Sequence, residues 1–468
     1  MKHFHTIFFL LSCFCGNTFA QSASENILGS GFGSDIIESA DHNFIFTGGD
    51  GTRVLISKID SAGNTLWVKF FGLTTGLTPN NSGTSITYIS DNKYVITGNY
   101  EPGTSSFHNL YAIMIDSSGN EIWEHNFGNG NCYGTNVTFD SINQTIYFVG
   151  SAHVSNSDIL VVKTDTAGNL IWNQYFDYGN NDYGEKISLR NENDIFIAGG
   201  SNSMSGNNYN DGILLEIDST GTFVGINSYG GNSADIFYDF KILPDNSFFV
   251  LGNTQSFGAG LQDGWLLRLN SLGDTLWTKT YGDTIGDNLH HFAFSNSNTI
   301  WLCGYSNTLS PNFQDAWLLE IDTSGNTLYN KHFGNTNYEM TFSIIESSFN
   351  SIFAIGESDT NSFQQIYLIR LDSVNLFSSV PYDNLVSSNQ LFAYPNPTND
   401  ISFLQLPSDF DFNFLKIDVR DLLGRTFIQN AYHVKNNLIA IYLPSPSGIY
   451  SITIQDDKKI FQTQIIKN

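Results

Sequence analysis

The adjacent histidines His290 and His291 are, by residue type, the most obvious metal ligands in this 468-residue sequence. They lie in a run typical of a β-strand, where successive side chains point to opposite faces. At most one of them would therefore face a shared site, and no other histidine or carboxylate recurs beside them at the spacing of a metal-binding motif. We predict no metal site and no cofactor here.

A repeated turn of the form D-[ST]-x-G-[ND] raises calcium binding as a second kind of chemistry. Calcium takes six or more oxygen ligands with several carboxylates, whereas each of these turns supplies one Asp. An Asp side chain also accepts hydrogen bonds from backbone N–H groups two residues on, and Gly supplies the positive φ of a short hairpin loop. We therefore predict that these Asp residues shape turns.

Motifs for catalysis are missing from the sequence. It has no Gly-rich phosphate loop, no G-x-S-x-G elbow and no H-E-x-x-H. Asp239 and Glu38 lie in predicted strands, but each is an isolated carboxylate. We predict no catalytic residues, and the alternative is an enzyme that acts on polysaccharide through Asp239 or Glu38.

Aromatic residues recur in connecting segments rich in Ser, Asn and Gly. Those in loops that follow an apolar run are Phe107, Tyr209, Phe257, Phe313 and Phe363, and those between repeats are Tyr133, Tyr183 and Phe237. Aromatic rings among amide donors suit glycans or extended peptides. We predict these eight as ligand-binding residues, and the alternative is that the rings only cap the strand ends.

A unit repeated seven times positions these side chains. Its turn begins at Asp60, Asp116, Asp165, Asp218, Asn270, Asp322 and Asp372. A period of about fifty residues in a strand-rich chain indicates propeller blades. The second strand of each unit is an apolar run such as FIFTG, ending at Gly48, which is typical of a strand buried on both faces. The third alternates, as in Ile56-Ser57-Lys58-Ile59, so we expect one of its faces to be solvated.

The fold class that follows is all-β, with a seven-bladed β-propeller around a central channel. Asp239 and Glu38 would lie on its innermost strands. A Trp follows the turn in four units, at Trp67, Trp123, Trp172 and Trp277. We expect this ring to pack against the neighbouring blade. The seventh unit lacks its fourth strand, so the segment from Glu25 to Gly33 is predicted to complete it and close the ring.

Composition limits the partners and the compartment. The formal net charge is −25, which disfavours nucleic acid and anionic membrane surfaces. Residues 1–20 combine a basic start, an apolar run and small residues before a cut ahead of Gln21, as in a secretory signal peptide. Lipidation at Cys13 is the alternative. No other stretch is long and apolar enough to predict a membrane span.

The last part of the chain is richer in proline, and its short alternating strands predict a small antiparallel, immunoglobulin-like β-sandwich. Its motifs, in order, are Tyr394-Pro395-Asn396-Pro397, Asp421-Leu422-Leu423-Gly424-Arg425, Gly448-Ile449-Tyr450 and Ile466-Lys467. This part resembles the type A C-terminal sorting domain of the type IX (Por) secretion system. The resemblance implies handling by the type IX secretion machinery, passage through the periplasm and the outer membrane, and release or anchoring at the cell surface. An ordinary immunoglobulin-like adhesive domain is the alternative.

The predicted order is a signal peptide (1–20), a seven-bladed propeller (21–378), a linker (379–390) and a sorting domain (391–468). We expect an exported, non-catalytic binding or adhesion module, secreted or at the cell surface, with a glycan or peptide ligand. The rival hypotheses are the polysaccharide-acting enzyme and a structural surface component that self-associates.

Overall fold

The computed structural model divides the chain into two compact units, residues 1–375 and 376–468. In the first unit the structure describes residues 22–72, 81–90, 92–101, 107–128, 130–153, 156–204, 209–308, 313–334, 338–360 and 363–372. In the second it describes residues 393–394, 401–405, 416–421, 426–427, 434–435, 438–442, 448–455 and 460–467. The predicted signal peptide and linker lie outside these ranges.

Seven four-stranded antiparallel sheets make up the first unit, and the described residues form no helix. Blade 1 consists of β2 (Phe32–Glu38), β3 (Phe44–Gly49), β4 (Val54–Ile59) and β5 (Thr65–Phe71). Blade 2 consists of β6 (Ser82–Tyr88), β7 (Lys93–Tyr100), β8 (Asn109–Asp116) and β9 (Glu121–Phe127). Blade 3 consists of β10 (Asn131–Asp140), β11 (Thr145–His153), β12 (Ser157–Asp165) and β13 (Leu170–Phe176). Within each blade the strands follow chain order, from the inner strand to the outer one.

Blades 4 to 7 repeat this arrangement. Blade 4 consists of β14 (Asp182–Leu189), β15 (Asp194–Ser201), β16 (Asp211–Asp218) and β17 (Phe223–Tyr229), and blade 5 of β18 (Asp235–Ile242), β19 (Phe248–Thr254), β20 (Asp263–Leu269) and β21 (Thr275–Tyr281). Blade 6 consists of β22 (Asp287–Phe294), β23 (Thr299–Ser306), β24 (Asp315–Asp322) and β25 (Thr327–Phe333). Blade 7 consists of β26 (Tyr338–Glu346), β27 (Ile352–Thr360) and β28 (Phe363–Asp372), with β1 (Ser22–Ser30) as its fourth strand. The seven sheets confirm the predicted seven-bladed propeller.

The N-terminal strand closes the ring, as predicted. Strand β1 pairs antiparallel with β28, in a register that places Ser22 opposite Asp372. The phenol of Tyr367 on β28 also donates a hydrogen bond to the Glu25 carboxylate on β1. Blade 7 therefore joins the first strand of the described chain to the last strands of the repeat, and the outer edge of β28 is paired.

The core lies between the blades. Seven hydrophobic clusters of described residues each combine side chains of two neighbouring blades, one cluster at every junction. The junction between blades 7 and 1, for example, brings Phe353 and Leu368 together with Phe44 and Phe46. Because apolar area is buried against both neighbours, each blade is stabilised by the closed ring and has no separate core.

The expectation of a solvated third strand is wrong. All six residues of β4, including Lys58, are buried, because both faces of the blade are covered by neighbouring blades. The ammonium group of Lys58 lies 2.7 Å from the Asp41 carboxylate, so the charge reaches a partner at the end of the blade while its alkyl chain is buried.

The repeated turn has the predicted local role. The Asp60 Oδ1 atom accepts hydrogen bonds from the N–H groups of Ala62 (2.9 Å) and Asn64 (2.8 Å), and Gly63 has φ 88°. The Trp that follows the turn contacts the next blade, as in Trp123, whose indole N–H donates a hydrogen bond to the carbonyl oxygen of Thr166 at 3.1 Å. The turn and the Trp thus link neighbouring blades at their outer edges.

The second unit contains two four-stranded sheets. Their strands are β29 (Ala393–Tyr394), β30 (Ile401–Gln405), β31 (Lys416–Asp421), β32 (Thr426–Phe427), β33 (Val434–Lys435), β34 (Leu438–Tyr442), β35 (Gly448–Gln455) and β36 (Ile460–Lys467). The sheet orders are β29-β30-β34-β33 and β32-β31-β35-β36. The immunoglobulin-like packing of these two sheets stays a prediction.

The second sheet brings together motif residues that lie far apart in the chain. Asp421 is opposite Tyr450, and Gly448 is opposite Lys467. Tyr394 lies on β29 of the other sheet. The remaining members of the predicted sorting motif, Pro395, Asn396, Pro397, Gly424 and Arg425, lie outside the described residues.

Candidate functional site in the central channel

Each inner strand of the propeller contains a β-bulge at the same point. The register shifts between Leu289 and His291 in β22, for example, and at the equivalent place in the other six inner strands. Two residues of the inner strand then oppose one residue of the second strand, which interrupts the alternation of side chains. The expectation that only one of His290 and His291 reaches the channel is therefore wrong, since both are partly exposed and both contact neighbouring inner strands.

The residue that follows each bulge belongs to a circle of polar side chains around the channel. We call this circle the polar ring, and its members are Asp35, Ser85, Asn136, Lys186, Asp239, His291 and Ser343. Because one member comes from each blade, contacts within the ring connect blades that share no sheet.

Asp35 connects three blades. It accepts hydrogen bonds from the hydroxyl groups of Ser85 on blade 2 (3.0 Å) and Ser343 on blade 7 (2.8 Å). Asn136 continues the ring, because its amide donates to Ser85 Oγ at 2.8 Å and its Oδ1 accepts from Ile187 N at 3.3 Å. Blades 7, 1, 2, 3 and 4 are thereby linked through the channel wall.

Asp239 connects the remaining blades. Its carboxylate lies 3.4 Å from Lys186 Nζ and 3.5 Å from His291 Nε2, and it accepts from the backbone N–H of Phe292 at 3.2 Å. The backbone N–H of Ile344 then donates to His291 Nδ1 at 3.2 Å. The two residues occupy equivalent positions one repeat apart, and this spacing was the sequence signal that the carboxylate lies beside the histidine.

The electrostatics of this part of the ring are those of a buried structural network. Burial raises the pKa of Asp239, but Lys186, Lys241 and His291 outweigh it and lower the pKa to about 2. Burial lowers the pKa of His291 to about 4 despite the attraction of Asp239. The imidazole is therefore neutral at pH 7, with Nε2–H facing Asp239 and Nδ1 accepting from Ile344. Both ring nitrogens are engaged, so neither is positioned to take a proton from a substrate.

Glu38, the second carboxylate of the enzyme hypothesis, is placed elsewhere. It lies three residues beyond Asp35 on β2, where its carboxylate accepts from Ser348 N at 2.7 Å and contacts His42 Nδ1 at 2.9 Å. Within the described part of the chain, no hydrogen bond or ion pair joins Glu38 to Asp239. The structure therefore does not bring these two carboxylates together as a catalytic pair.

A second group of channel side chains lies next to the polar ring, towards the start of the inner strands. We call it the channel pocket, and its members are Glu185, Tyr238, His290, Phe342 and Tyr305, all partly exposed. His290 stacks on Phe342 with ring centroids 5.4 Å apart, and it meets Tyr305 and Tyr238 edge-on at 5.5 and 5.6 Å. The pocket thus combines an aromatic wall from blades 5 to 7 with one carboxylate from blade 4.

A departure from the repeat in the sequence marks this pocket. Four of its members are the bulge residues of blades 4 to 7, while blades 1 to 3 carry the smaller Ser34, Thr84 and Thr135 at that position. The Thr135 hydroxyl, for example, donates to the carbonyl oxygen of Gly184 on the next blade at 2.7 Å. Four larger side chains at a position otherwise held by hydroxyl residues depart from the repeat.

The predicted aromatic residues occupy a different region, which we call the loop rim. It is the end of the ring where the loops after the second strands meet the starts of the next inner strands, as in the bond from Asp235 N to Asn210 O (2.7 Å). On this rim the exposed fractions are 59% for Phe107, 53% for Tyr209, 45% for Phe257 and 73% for Phe363. These four rings are exposed at the surface.

Three other members of the set are partly exposed, and one is not exposed at all. Tyr133 packs beside His108 at 4.9 Å, Phe313 meets Tyr338 at 5.4 Å, and Tyr183 is partly exposed. Phe237 is fully buried against Trp265 at 5.4 Å. In blade 5, Ile236 holds the position equivalent to Tyr133 and Tyr183. The assignment of Phe237 to an exposed surface was therefore wrong.

A groove of about 490 Å³ lies beside one of the exposed rings. Its walls include Tyr229, Phe257, Trp265, Thr278 and Lys279. Phe257 and Trp265 have ring centroids 5.5 Å apart, and the Trp265 N–H donates to Thr278 Oγ1. The groove therefore offers aromatic area together with hydroxyl and ammonium donors at the junction of blades 4 and 5.

Comparison with known proteins identifies the second unit. Residues 393–468 match the family model of the secretion system C-terminal sorting domain. The chain therefore carries a type IX sorting domain and is exported to the cell surface or the medium, as the motifs predicted. A comparison with curated proteins found no match. Among the described residues, no helix is long and apolar enough to cross a membrane.

Some solved structures show limited similarity to the chain. They include the Dos1 propeller, which is 14% identical, with 74% of this chain and 94% of that chain covered and a TM-score of 0.42. The Neurospora crassa Pan2 WD40 domain is 11% identical, with 61% of this chain and 88% of that chain covered and a TM-score of 0.39. Sqt1 from Chaetomium thermophilum is 11% identical, with 72% of this chain and 83% of that chain covered and a TM-score of 0.42. At these scores the similarity supports no functional conclusion, and the blade count rests on the sheets described above.

Proposed function

We propose that this exported propeller is a non-catalytic binding module that takes a glycan or an extended peptide on its loop rim. The observation that carries the proposal is the set of exposed aromatic rings at that rim, led by Phe363 and Phe107. Large exposed rings are costly to leave in water, and aromatic faces beside hydroxyl and amide groups are suited to sugar rings and peptide side chains. The groove beside Phe257 adds a concave surface of the size that binds small ligands.

A binding role is also supported by the state of the polar ring. Its acid–base groups are held in contacts between blades, with Asp239 bound by Lys186 and His291 and with both imidazole nitrogens engaged. A general base needs an accepting atom within reach of the substrate, and this network leaves none on His291. The ring is therefore best explained as the inner closure of the fold.

The test is a binding screen of the secreted full-length protein on glycan and peptide arrays. We expect a selective signal that Phe257→Ala or Phe363→Ala weakens at least several-fold. The matched control is Phe349→Ala, since Phe349 is 52% exposed but lies in the turn between β26 and β27 at the opposite rim. Equal loss in all three variants, or turnover of an arrayed glycan that Asp239→Asn abolishes, would contradict the proposal.

A further inference from the structure

We propose that the channel pocket binds the protonated primary amine of a ligand, as found in an amino sugar or a lysine side chain. This inference rests on the proposed function and narrows it, because it assigns a chemical group to a ligand held at the loop rim. The pocket lies on the rim side of the polar ring, so a ligand on the rim can extend an ammonium group into it.

The aromatic wall supplies one half of the recognition. Tyr238, His290, Phe342 and Tyr305 form a continuous group in which each ring lies within 5.6 Å of His290. Aromatic faces attract cations through their quadrupoles, and such groups of rings recognise amines and ammonium ions. Burial lowers the pKa of His290, although its contact with the Thr341 carbonyl oxygen raises it, so the imidazole is neutral and does not repel a cation.

Glu185 supplies the other half. Its carboxylate has no hydrogen bond or ion pair with any other described residue, although it lies close enough to Tyr238 to help burial raise the pKa of that phenol. Burial raises the pKa of Glu185 itself to about 7. At the equivalent position of blade 3, the Thr135 hydroxyl donates a hydrogen bond to the Gly184 carbonyl oxygen of the next blade. An ionised carboxylate has no hydrogen with which to make this bond. Glu185 therefore lacks the role that its position has elsewhere in the repeat.

The charge balance of the channel points the same way. Below the pocket, the ammonium groups of Lys186 and Lys241 lie 3.4 and 3.9 Å from the Asp239 carboxylate. The polar ring also contains Asp35, so these four formal charges, two positive and two negative, sum to zero. Glu185 has no ion pair with any of these described groups, and an ammonium group would provide its balancing charge.

The measurement is titration calorimetry on the secreted full-length protein with Nα-acetyl-lysine amide and, separately, glucosamine. The neutral probes Nα-acetyl-norleucine amide and N-acetylglucosamine serve as matched ligands. An ammonium ion binds the ionised carboxylate, so affinity for the lysine probe should rise about 30-fold between about pH 5.5 and about pH 8, as Glu185 loses its proton. Binding of one amine probe alone would show which source of the amine fits the pocket and would support the proposal.

The variant Glu185→Gln should lose at least 10-fold in affinity for the amine probe and lose the pH dependence. Glu192→Gln is the matched control, because Glu192 is on the same blade and exposed in the β14–β15 turn. Thermal melts of both variants verify folding. No binding of either amine, equal binding of the neutral probes, or unchanged binding by Glu185→Gln would overturn the inference.

These outcomes are separate from those of the rim test. If array binding depends on Phe257 or Phe363 while amines do not bind, the proposed function stands and the amine site fails. If amines bind through Glu185 while the rim variants change nothing, the pocket stands and the rim proposal fails.

Discussion

The substitution Asp239→Asn tests whether the polar ring holds the propeller together. Asp239 has 1% of its side chain exposed and bridges Lys186 on blade 4 to His291 on blade 6. The Asn side chain keeps the size but removes the charge, which leaves Lys186 and Lys241 without their shared counterion. Removing one partner of a buried ion pair costs about 3–5 kcal/mol. Because the two lysines are partly exposed, we expect a loss of about 3 kcal/mol, at the lower end of that range.

This loss can be measured as a shift in the melting temperature of the secreted full-length protein. An unfolding entropy of about 2.1 cal/mol/K per residue over roughly 350 propeller residues converts ~3 kcal/mol into a decrease of about 4 °C in Tm. Calorimetry resolves a shift of this size. The matched control is Asp245→Asn on the same blade, where the carboxylate is 67% exposed and lies 3.6 Å from Arg268. An exposed ion pair contributes little to stability, so this variant should melt close to the wild type.

A second substitution separates the loss of the pair from local damage. Adding Lys186→Met to Asp239→Asn removes one of the cations left unpaired, so the double variant should regain part of the lost Tm. A Tm for Asp239→Asn equal to that of Asp245→Asn would refute the assigned role of the ring. A double variant less stable than Asp239→Asn would refute the ion pair as its cause.

Three further predictions concern other parts of the chain. The folded-state pKa of His291 is about 4, below its usual 6.5. The stabilising effect of the neutral imidazole is therefore complete above pH 6.5 and declines by about 3 kcal/mol as the pH falls towards 4. The variant His291→Gln should flatten the pH dependence of Tm in this window, and an unchanged slope would count against this role. Deleting residues 22–30 uncovers the edge of β28, so the deletion should lower Tm sharply, and a transition like that of the wild type would argue against closure by β1. Removing residues 391–468 deletes the sorting domain, so cell fractionation should find the truncated protein in the periplasm; normal delivery to the surface or medium would exclude the sorting role.

The repeat and the closure of the ring could be predicted because they depend on local patterns. The apolar run of the second strand recurs in every unit and the Asp turn with its Gly in most of them, and their chemistry acts within a few residues. The missing fourth strand of the seventh unit indicated that a distant segment had to complete it. Strand β1 does so.

The channel could not be predicted in the same way, because it depends on contacts between blades. Asp239 and His291 are 3.5 Å apart but lie on different blades. Phe237 was misplaced by one residue, since Ile236 is the equivalent of Tyr133 and Tyr183, and the bulge in each inner strand concealed Tyr238. Lys58 was expected at a solvated face because strict alternation ignores the two blades that cover β4.

The most direct test of the account is a crystal structure of the secreted protein, since both the polar ring and the channel pocket require a closed circle of blades. We predict seven four-stranded sheets, with residues 22–30 paired to β28 and the Asp239 carboxylate between Lys186 and His291. An open stack, a different number of blades, or an Asp239 side chain facing bulk solvent would contradict it.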